Sequence, residues 1–139
     1  MIKYQKMIQI FTDGGSRGNP GPAAYGFVVK KDNKTIHEQN GYIGIATNNF
    51  AEYTALIEAL TWLGKHLKDE KLEFFLDSQL VVSQVNGIFK VKNATIRDLI
   101  FKVRTLESNF GAIVYQHVPR IKNQEADRQV NIALDRHGT

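Results

Sequence analysis

Three strand-like runs follow one another near the start of the chain, and the connections between them hold no helical pattern. Met7–Thr12, Ala24–Lys30 and Thr35–Ile43 are rich in β-branched and aromatic residues, the composition of strands. Asp32-Asn33-Lys34, between the second and third runs, is turn chemistry. A parallel pair needs a long, usually helical crossover, so connections this short imply an antiparallel meander of three strands. What comes after must cover that meander.

Thr47-Asn48-Asn49 opens a helix, with Asn as a natural cap. Tyr53, Leu56, Ile57, Leu60 and Leu63 recur at helical spacing, and Ala51, Ala55 and Ala59 allow close packing. The helix ends between Gly64 and Lys71. Leu72 to Asp77 is a short, nearly continuous apolar run, which suits a strand covered on both faces in a parallel sheet. Ser78 caps a short helix to about Val85, and Asn86-Gly87 breaks it. A helix from Thr95 buries Ile96, Leu99, Ile100, Val103, Leu106 and Phe110. Ala112 to Val118 is a fifth strand, Pro119 to Lys122 a loop, and Asn123 caps a last helix to about Arg136. The order β-β-β-α-β-α-α-β-α predicts an α/β fold. Its sheet is mixed and five-stranded, three strands antiparallel and two parallel, flanked by helices.

The chain of 139 residues reads as one domain over residues 1–139, without repeats or linkers. A hydrophobic fraction of 42% supplies a core, and there is no cysteine for disulfides or thiolate metal sites. No run of about 18 apolar residues is present, and the first six residues lack the apolar centre of a signal peptide. A cytoplasmic monomer with no membrane partner is therefore the default expectation. The net charge of +4 and pI of about 9.3 bias the chain mildly toward polyanions. Lys90, Lys92, Arg97, Lys102 and Arg104 gather in one region, where a solvated helix face explains most of them.

The first run ends on Asp13, followed by a loop containing Gly14, Gly15, Gly18 and Gly21. Glycine permits positive φ and close approach of a ligand to the backbone; an Asp-Gly turn closing an ordinary strand accounts for the same residues. Three further acids sit where a surface acid would not. Asp77 ends the fourth strand. Glu52 lies in the first turn of its helix, in line with Leu56, Ala59 and Leu63, and Asp127 lines up with Val130 and Leu134. An acid near a helix N-terminus favours the macrodipole, yet that does not explain one turned inward. Buried carboxylates need a partner. A divalent cation would satisfy all four, and hard oxygen ligands point to Mg²⁺ or Mn²⁺ rather than zinc. Two such ions about 4 Å apart can drive in-line phosphodiester hydrolysis.

These residues resemble ribonuclease H of type 1. The matching motifs are Thr12-Asp13-Gly14-Gly15-Ser16 with Asn19-Pro20-Gly21, Thr47-Asn48-Asn49-Phe50-Ala51-Glu52, Asp77-Ser78-Gln79, and Asn123 with Ala126-Asp127, in the family's order. The resemblance implies the RNase H-like fold and hydrolysis of the RNA strand of an RNA/DNA hybrid. It implies that Asp13, Glu52, Asp77 and Asp127 ligate two Mg²⁺ ions. Asp13 would bridge both ions, Glu52 and Asp77 would complete one site and Asp127 the other, and Glu52 would also sense a ribose 2′-hydroxyl. Gly14, Gly15, Ser16 and Asn19 would line the hybrid groove. Asn48, Asn49 and Gln79 would reach the minor groove, and Thr47 would seat a DNA-strand phosphate. For these polar residues, capping and loop hydrogen bonds are the competing explanation.

Two departures from the family pattern stand out. The basic protrusion that many members carry is absent, and Val85 to Asn93 passes straight to the next helix, leaving Lys90 and Lys92 as substitute bases. The loop that often bears a catalytic histidine is short. His117 precedes Asp127 by ten residues but falls inside the fifth strand, so a structural role is expected for it. Arg120 is the auxiliary candidate for phosphate contact or product release, with Asn123 beside it. His37, His66 and His137 have no partner visible in the sequence. A nuclease of the same fold acting on double-stranded RNA and a catalytically silent hybrid-binding module are the alternatives; four intact acids argue against silence.

Overall fold

In the first strand, β1 (Ile8–Ser16), Ile8, Ile10 and Thr12 are buried while Gln9 and Phe11 between them are only half-buried. That two-residue period gives the sheet its two faces. A computed structural model describes residues 7–68 and 70–138. β1 pairs antiparallel with β2 (Gly21–Lys31), and β2 pairs antiparallel with β3 (Lys34–Ala46), forming the meander that the short connections predict. Helix α1 (Asn48–His66) leads to β4 (Lys71–Leu76), which runs parallel to β1. Helices α2 (Gln79–Val85) and α3 (Ala94–Glu107) lead to β5 (Ala112–His117), parallel to β4. A 3-10 turn at Arg120–Asn123 precedes α4 (Gln124–Arg136). The strand order is β3-β2-β1-β4-β5, the mixed five-stranded sheet read from the sequence.

The main core lies between the sheet and α1, α2 and α3. Ile8, Ile10, Phe27, Leu72, Phe74 and Leu76 meet Tyr53, Leu56, Leu60, Leu63, Val81 and Val103 there. On the opposite face, Val130, Ala133 and Leu134 of α4 pack on Ala24. Among the described residues no helix is long and apolar enough to cross a membrane.

Several boundaries differ from expectation. β1 does not stop at Asp13, because β2 keeps pairing with it: Asp13 lies opposite Gly26 and Ser16 opposite Ala23. The parallel partner does stop, since the last β1–β4 pair is Phe11 with Phe75. Asp13 is therefore held in extended backbone where the parallel half of the sheet ends. β4 is not covered on both faces. Glu73 and Phe75 are half-buried, and Phe75 stacks on Phe11 at 4.8 Å, with Lys30 Nζ 5.5 Å from the Phe11 ring centroid. The reason is that α4 packs over β1, β2 and β3. The α1 cap is Thr47, whose Oγ1 accepts from the Phe50 amide at 3.1 Å, so Glu52 falls in the second turn. Asn93 caps α3, which begins at Ala94. The remaining histidines find aromatic partners that sequence distance hides. His37 and His66 stack on Trp62 at 4.1 and 4.5 Å, and His137 stacks on Tyr42 at 3.5 Å.

Two glycines set how closely the helices approach the sheet. A Cβ on Gly14 would overlap the Ala51 carbonyl and the Glu52 amide of α1. A Cβ on Gly26 would lie 2.5 Å from Gln129 Cβ and 2.8 Å from the Ala126 carbonyl oxygen of α4. Gly15, beside Gly14 but on the other face, would place its Cβ an ordinary 3.5 Å from Val130 Cγ1. Overpacking against backbone that cannot yield costs more than overpacking against a side chain. Gly14→Ala is therefore expected to lower the unfolding free energy by about 3 kcal/mol. Gly15→Ala should lie within about 1 kcal/mol of the parent, both measured by urea titration.

Candidate active site

The close approach at Gly14 brings the second turn of α1 onto β1, and Glu52 onto Asp13. Asp77 follows the last residue of β4, one strand away from Asp13. Asp13, Glu52 and Asp77 each offer a carboxylate oxygen, and the three oxygens lie within 4.8 Å of one another. Asp13 and Glu52 are only 7% and 6% exposed. Asp127, in the first turn of α4, joins them from the other face of the sheet. It lines a cleft of about 340 Å³ together with Asp13, Glu52 and Arg120. It stands outside the converged set of three, and its Oδ2 accepts from Asn131 Nδ2 at 3.3 Å.

Crowding acids in a low-dielectric site raises their proton affinity. Burial, followed by the charge of Asp77, pushes Asp13 up to about 7, and the neighbouring Asp127 adds to the rise. Burial, followed by the charge of Asp13, holds Glu52 well above the ordinary carboxylate range, against the opposing pull of the Gly14 amide. The Gly14 amide also donates to Asp13 Oδ1 at 3.0 Å. Glu52 Oε2 is buried without a hydrogen-bond partner. An orphaned carboxylate oxygen facing two more carboxylates, all hard oxygen donors, is a set that fits a divalent cation.

Asn123 does not cap α4. Its side chain makes no capping bond, because the preceding 3-10 turn directs it inward. It is 1% exposed, and Nδ2 donates to the Thr12 carbonyl at 2.9 Å and to Asp77 Oδ2 at 3.3 Å. A buried amide thus ties β1 to the end of β4.

The other sequence candidates are spread around the acids. Ser16, Asn19 and Asn48 lock the glycine loop to the start of α1: the Ser16 amide donates to Asn48 Oδ1 at 2.9 Å, and the Asn48 amide to Asn19 Oδ1 at 3.0 Å. Asn19, Thr47, Asn48 and Asn49 line a cleft of about 600 Å³, shared with Asn93 and Thr95. Gly14 and Gly15 sit within β1 beside the acids and line their cleft, as does the exposed Arg120. Of the glycines from Gly14 to Gly21, only Gly18 has a positive φ, at 116°. Gln79 is exposed at the first turn of α2, just past Asp77 and the capping Ser78, whose Oγ accepts from the Val81 amide at 3.3 Å. His117 ends β5 opposite Leu76, inside a strand as expected but exposed. Lys90 and Lys92 are exposed between α2 and α3. Sequence reading passed over Arg17 and Asn131, which line the acid cleft. The available signal was the spacing of Asn131 four residues after Asp127 on one helix face.

Comparison with known proteins places this geometry. The RNase H family model matches residues 5–134. LC11-RNase H1, solved in complex with RNA/DNA hybrid, superposes with a TM-score of 0.91 at 42% identity, covering 95% of this chain and 99% of its own. A bifunctional protein of Mycobacterium tuberculosis is 45% identical over 130 residues, and ribonuclease HI of Halobacterium salinarum is 42% identical over 129. Each match covers 92% of this chain, which spans 35% of the mycobacterial relative and 64% of the haloarchaeal one. With the matched segment running through all four acids, the chain belongs to the RNase H family.

Proposed function

We propose that this chain is an endoribonuclease that hydrolyses the RNA strand of RNA/DNA hybrids, acting as a monomer with two Mg²⁺ ions held by Asp13, Glu52, Asp77 and Asp127. The observation that carries this reading is the meeting of three carboxylate oxygens within 4.8 Å, one residue of the three leaving a buried oxygen unpartnered. Mg²⁺ bound there would supply an activated water and charge stabilisation at the leaving oxygen. The hybrid complex of LC11-RNase H1 supports the choice of substrate.

The chain's own residues divide the remaining work. Asn123 orients Asp77 through its bond to Oδ2, and the Gly14 amide orients Asp13 through Oδ1. Outer hydrogen bonds of this kind fix the direction in which a ligand oxygen points. The bonds joining Ser16, Asn48 and Asn19 hold the groove wall in place, so backbone amides and side chains can meet a sugar-phosphate chain without first ordering a loop. Arg120 brings a permanent positive charge to the same cleft, suited to a phosphate oxygen. Glu52, which lines the same cleft, is the group assigned to the 2′-hydroxyl.

Asp77→Asn separates catalysis from folding. It is expected to reduce cleavage of a hybrid in Mg²⁺ by at least about a thousandfold. It should also raise the metal-free thermal midpoint at neutral pH, because it removes the charge that most strongly opposes ionisation of Asp13 after burial itself. Hybrid, RNA duplex and DNA duplex assayed side by side test the substrate, with cleavage expected for the hybrid. Equal cleavage by parent and variant would overturn the site.

The raised carboxyl of Asp13 also makes stability depend on pH. Without metal it is protonated in the folded chain where the unfolded chain, at an ordinary 3.8, has lost its proton. That contribution is fully present below the unfolded value and lost as pH rises through about 7, a fall of about 4 kcal/mol for this group. Saturating Mg²⁺ prefers the ionised form and should flatten the fall. Urea unfolding between pH 4 and 8, with and without Mg²⁺, is the measurement, and parallel curves would contradict the assignment.

A further inference from the structure

Of the four acids, Asp127 is the one whose placement needs explaining. It is half-buried rather than buried, meets the converged three through Asp13 alone among the shifted acids, and comes from a helix that reaches the site across the far face of the sheet. A carboxylate so placed can turn about two side-chain torsions. Here Asn131, one turn further along α4, constrains it: Nδ2 donates to Asp127 Oδ2 at 3.3 Å and to the Asp127 carbonyl at 3.1 Å. Asn131 is held in its turn. Its Oδ1 accepts from Arg17 Nη2 at 3.3 Å, and the same guanidinium nitrogen donates to Asp135 Oδ1 at 2.8 Å.

We propose that Asn131 is a positioning residue that aims the Asp127 carboxylate at the metal site, and that Arg17, anchored on Asp135, sets the direction of the Asn131 amide. The inference rests on the reading of the site given above and adds two residues to it. A carboxamide has one donating and one accepting end. Reversed, it would set its oxygen against the Asp127 carboxylate and its NH₂ against a guanidinium, so only one orientation satisfies both neighbours. Arg17 provides the reference that selects it.

Stability does not account for the arrangement. The Arg17–Asp135 pair is exposed, with side chains 36% and 70% accessible, and exposed ion pairs contribute little. Asn131 is exposed as well. What the three side chains share is location. Asp127, Asn131 and Asp135 are spaced by four residues along one face of α4, and Arg17 reaches them from the loop that follows β1. The relay therefore links the glycine-loop wall of the cleft to the acid contributed by the opposite face of the sheet.

The test uses the full chain and Mn²⁺ as the probe. Isothermal titration of Mn²⁺ into substrate-free protein, thermal midpoints without metal, and hybrid cleavage against Mn²⁺ concentration are recorded for the parent, Asn131→Ala, Arg17→Lys and the double variant. Asn131→Ala is expected to weaken Mn²⁺ binding roughly tenfold, the scale of losing an outer hydrogen-bond partner at a metal site. Its midpoint should stay within about 2 °C. Its cleavage should recover at high Mn²⁺. Arg17→Lys retains a cation for Asp135 but loses the planar fork, and should weaken binding by a smaller factor. Because both residues act through one carboxylate, the double variant should be no weaker than Asn131→Ala alone. Unchanged Mn²⁺ affinity in Asn131→Ala, or a double variant whose loss is the product of the single losses, would overturn the proposal. If the parent itself took up no Mn²⁺, the reading of the site would fail, a result distinct from failure of the relay.

Discussion

The two helices can reach the sheet at Asp13 only because the backbone there is bare on both faces. Gly14 clears the way for α1 beside Asp13 in sequence, and Gly26 clears it for α4 beside Asp13 in the antiparallel register. A Cβ at either position would meet helix backbone, which cannot rotate aside as a side chain would. Glu52 and Asp127 are carried on those helices, so the separation between the acids is set by how deeply each helix seats. The third partner, Asp77, arrives differently. It follows β4, whose pairing with β1 ends at Phe11, leaving an open end of the parallel half beside a strand that continues. Ligand sites gather at such carboxyl ends of strands. Here the continuing strand supplies one wall of the site.

Assembling carboxylates this way opposes stability. Burial and mutual repulsion raise the proton affinity of Asp13 and Glu52, so the metal-free fold at neutral pH holds groups that would be better solvated in the unfolded chain. The surrounding packing sustains that cost. Large fully buried side chains such as Tyr53, Phe27, Phe74 and Leu56 form the core beneath the site. A buried amide from Asn123 braces the junction where β1 and β4 separate. The site is strained electrostatically while its scaffold is not, which is the arrangement a binding site for cations requires.

Around the acids, the polar residues of the sequence motifs divide between structure and exposure. Ser16, Asn19 and Asn48 spend hydrogen bonds on one another, and Thr47 spends its hydroxyl on the helix cap. These bonds join the glycine loop to the start of α1 along one wall of the cleft. The segment between α2 and α3 holds no further helix and leaves Lys90 and Lys92 exposed. LC11-RNase H1, which superposes over nearly the full length of both chains, forms its hybrid complex on the same architecture.

Local chemistry made much of this legible in advance. Strand alternation, helical spacing of Leu and Ala, and the cap at Ser78 act over a few residues, so element order and the mixed sheet followed from the residues alone. Four acids were visible because each breaks the apolar pattern of its own element, and the motif match tied them to one chemistry. Tertiary contact decided the rest. Whether β1 stops at Asp13 depends on pairing with the partner strand beyond the glycine loop, where Gly14 meets Tyr25 and Ser16 meets Ala23. Whether Asn123 caps a helix or turns inward depends on the Thr12 carbonyl and Asp77, distant in the chain. That Phe75 is left half-buried against Phe11 rather than covered by a helix depends on where α4 comes to rest. The histidines on Trp62 and Tyr42, and the alignment of Arg17 with Asn131 and Asp135, likewise join positions that sequence spacing does not relate. Periodicity reports which way a side chain points relative to its own element; what it then touches is fixed only when the elements pack.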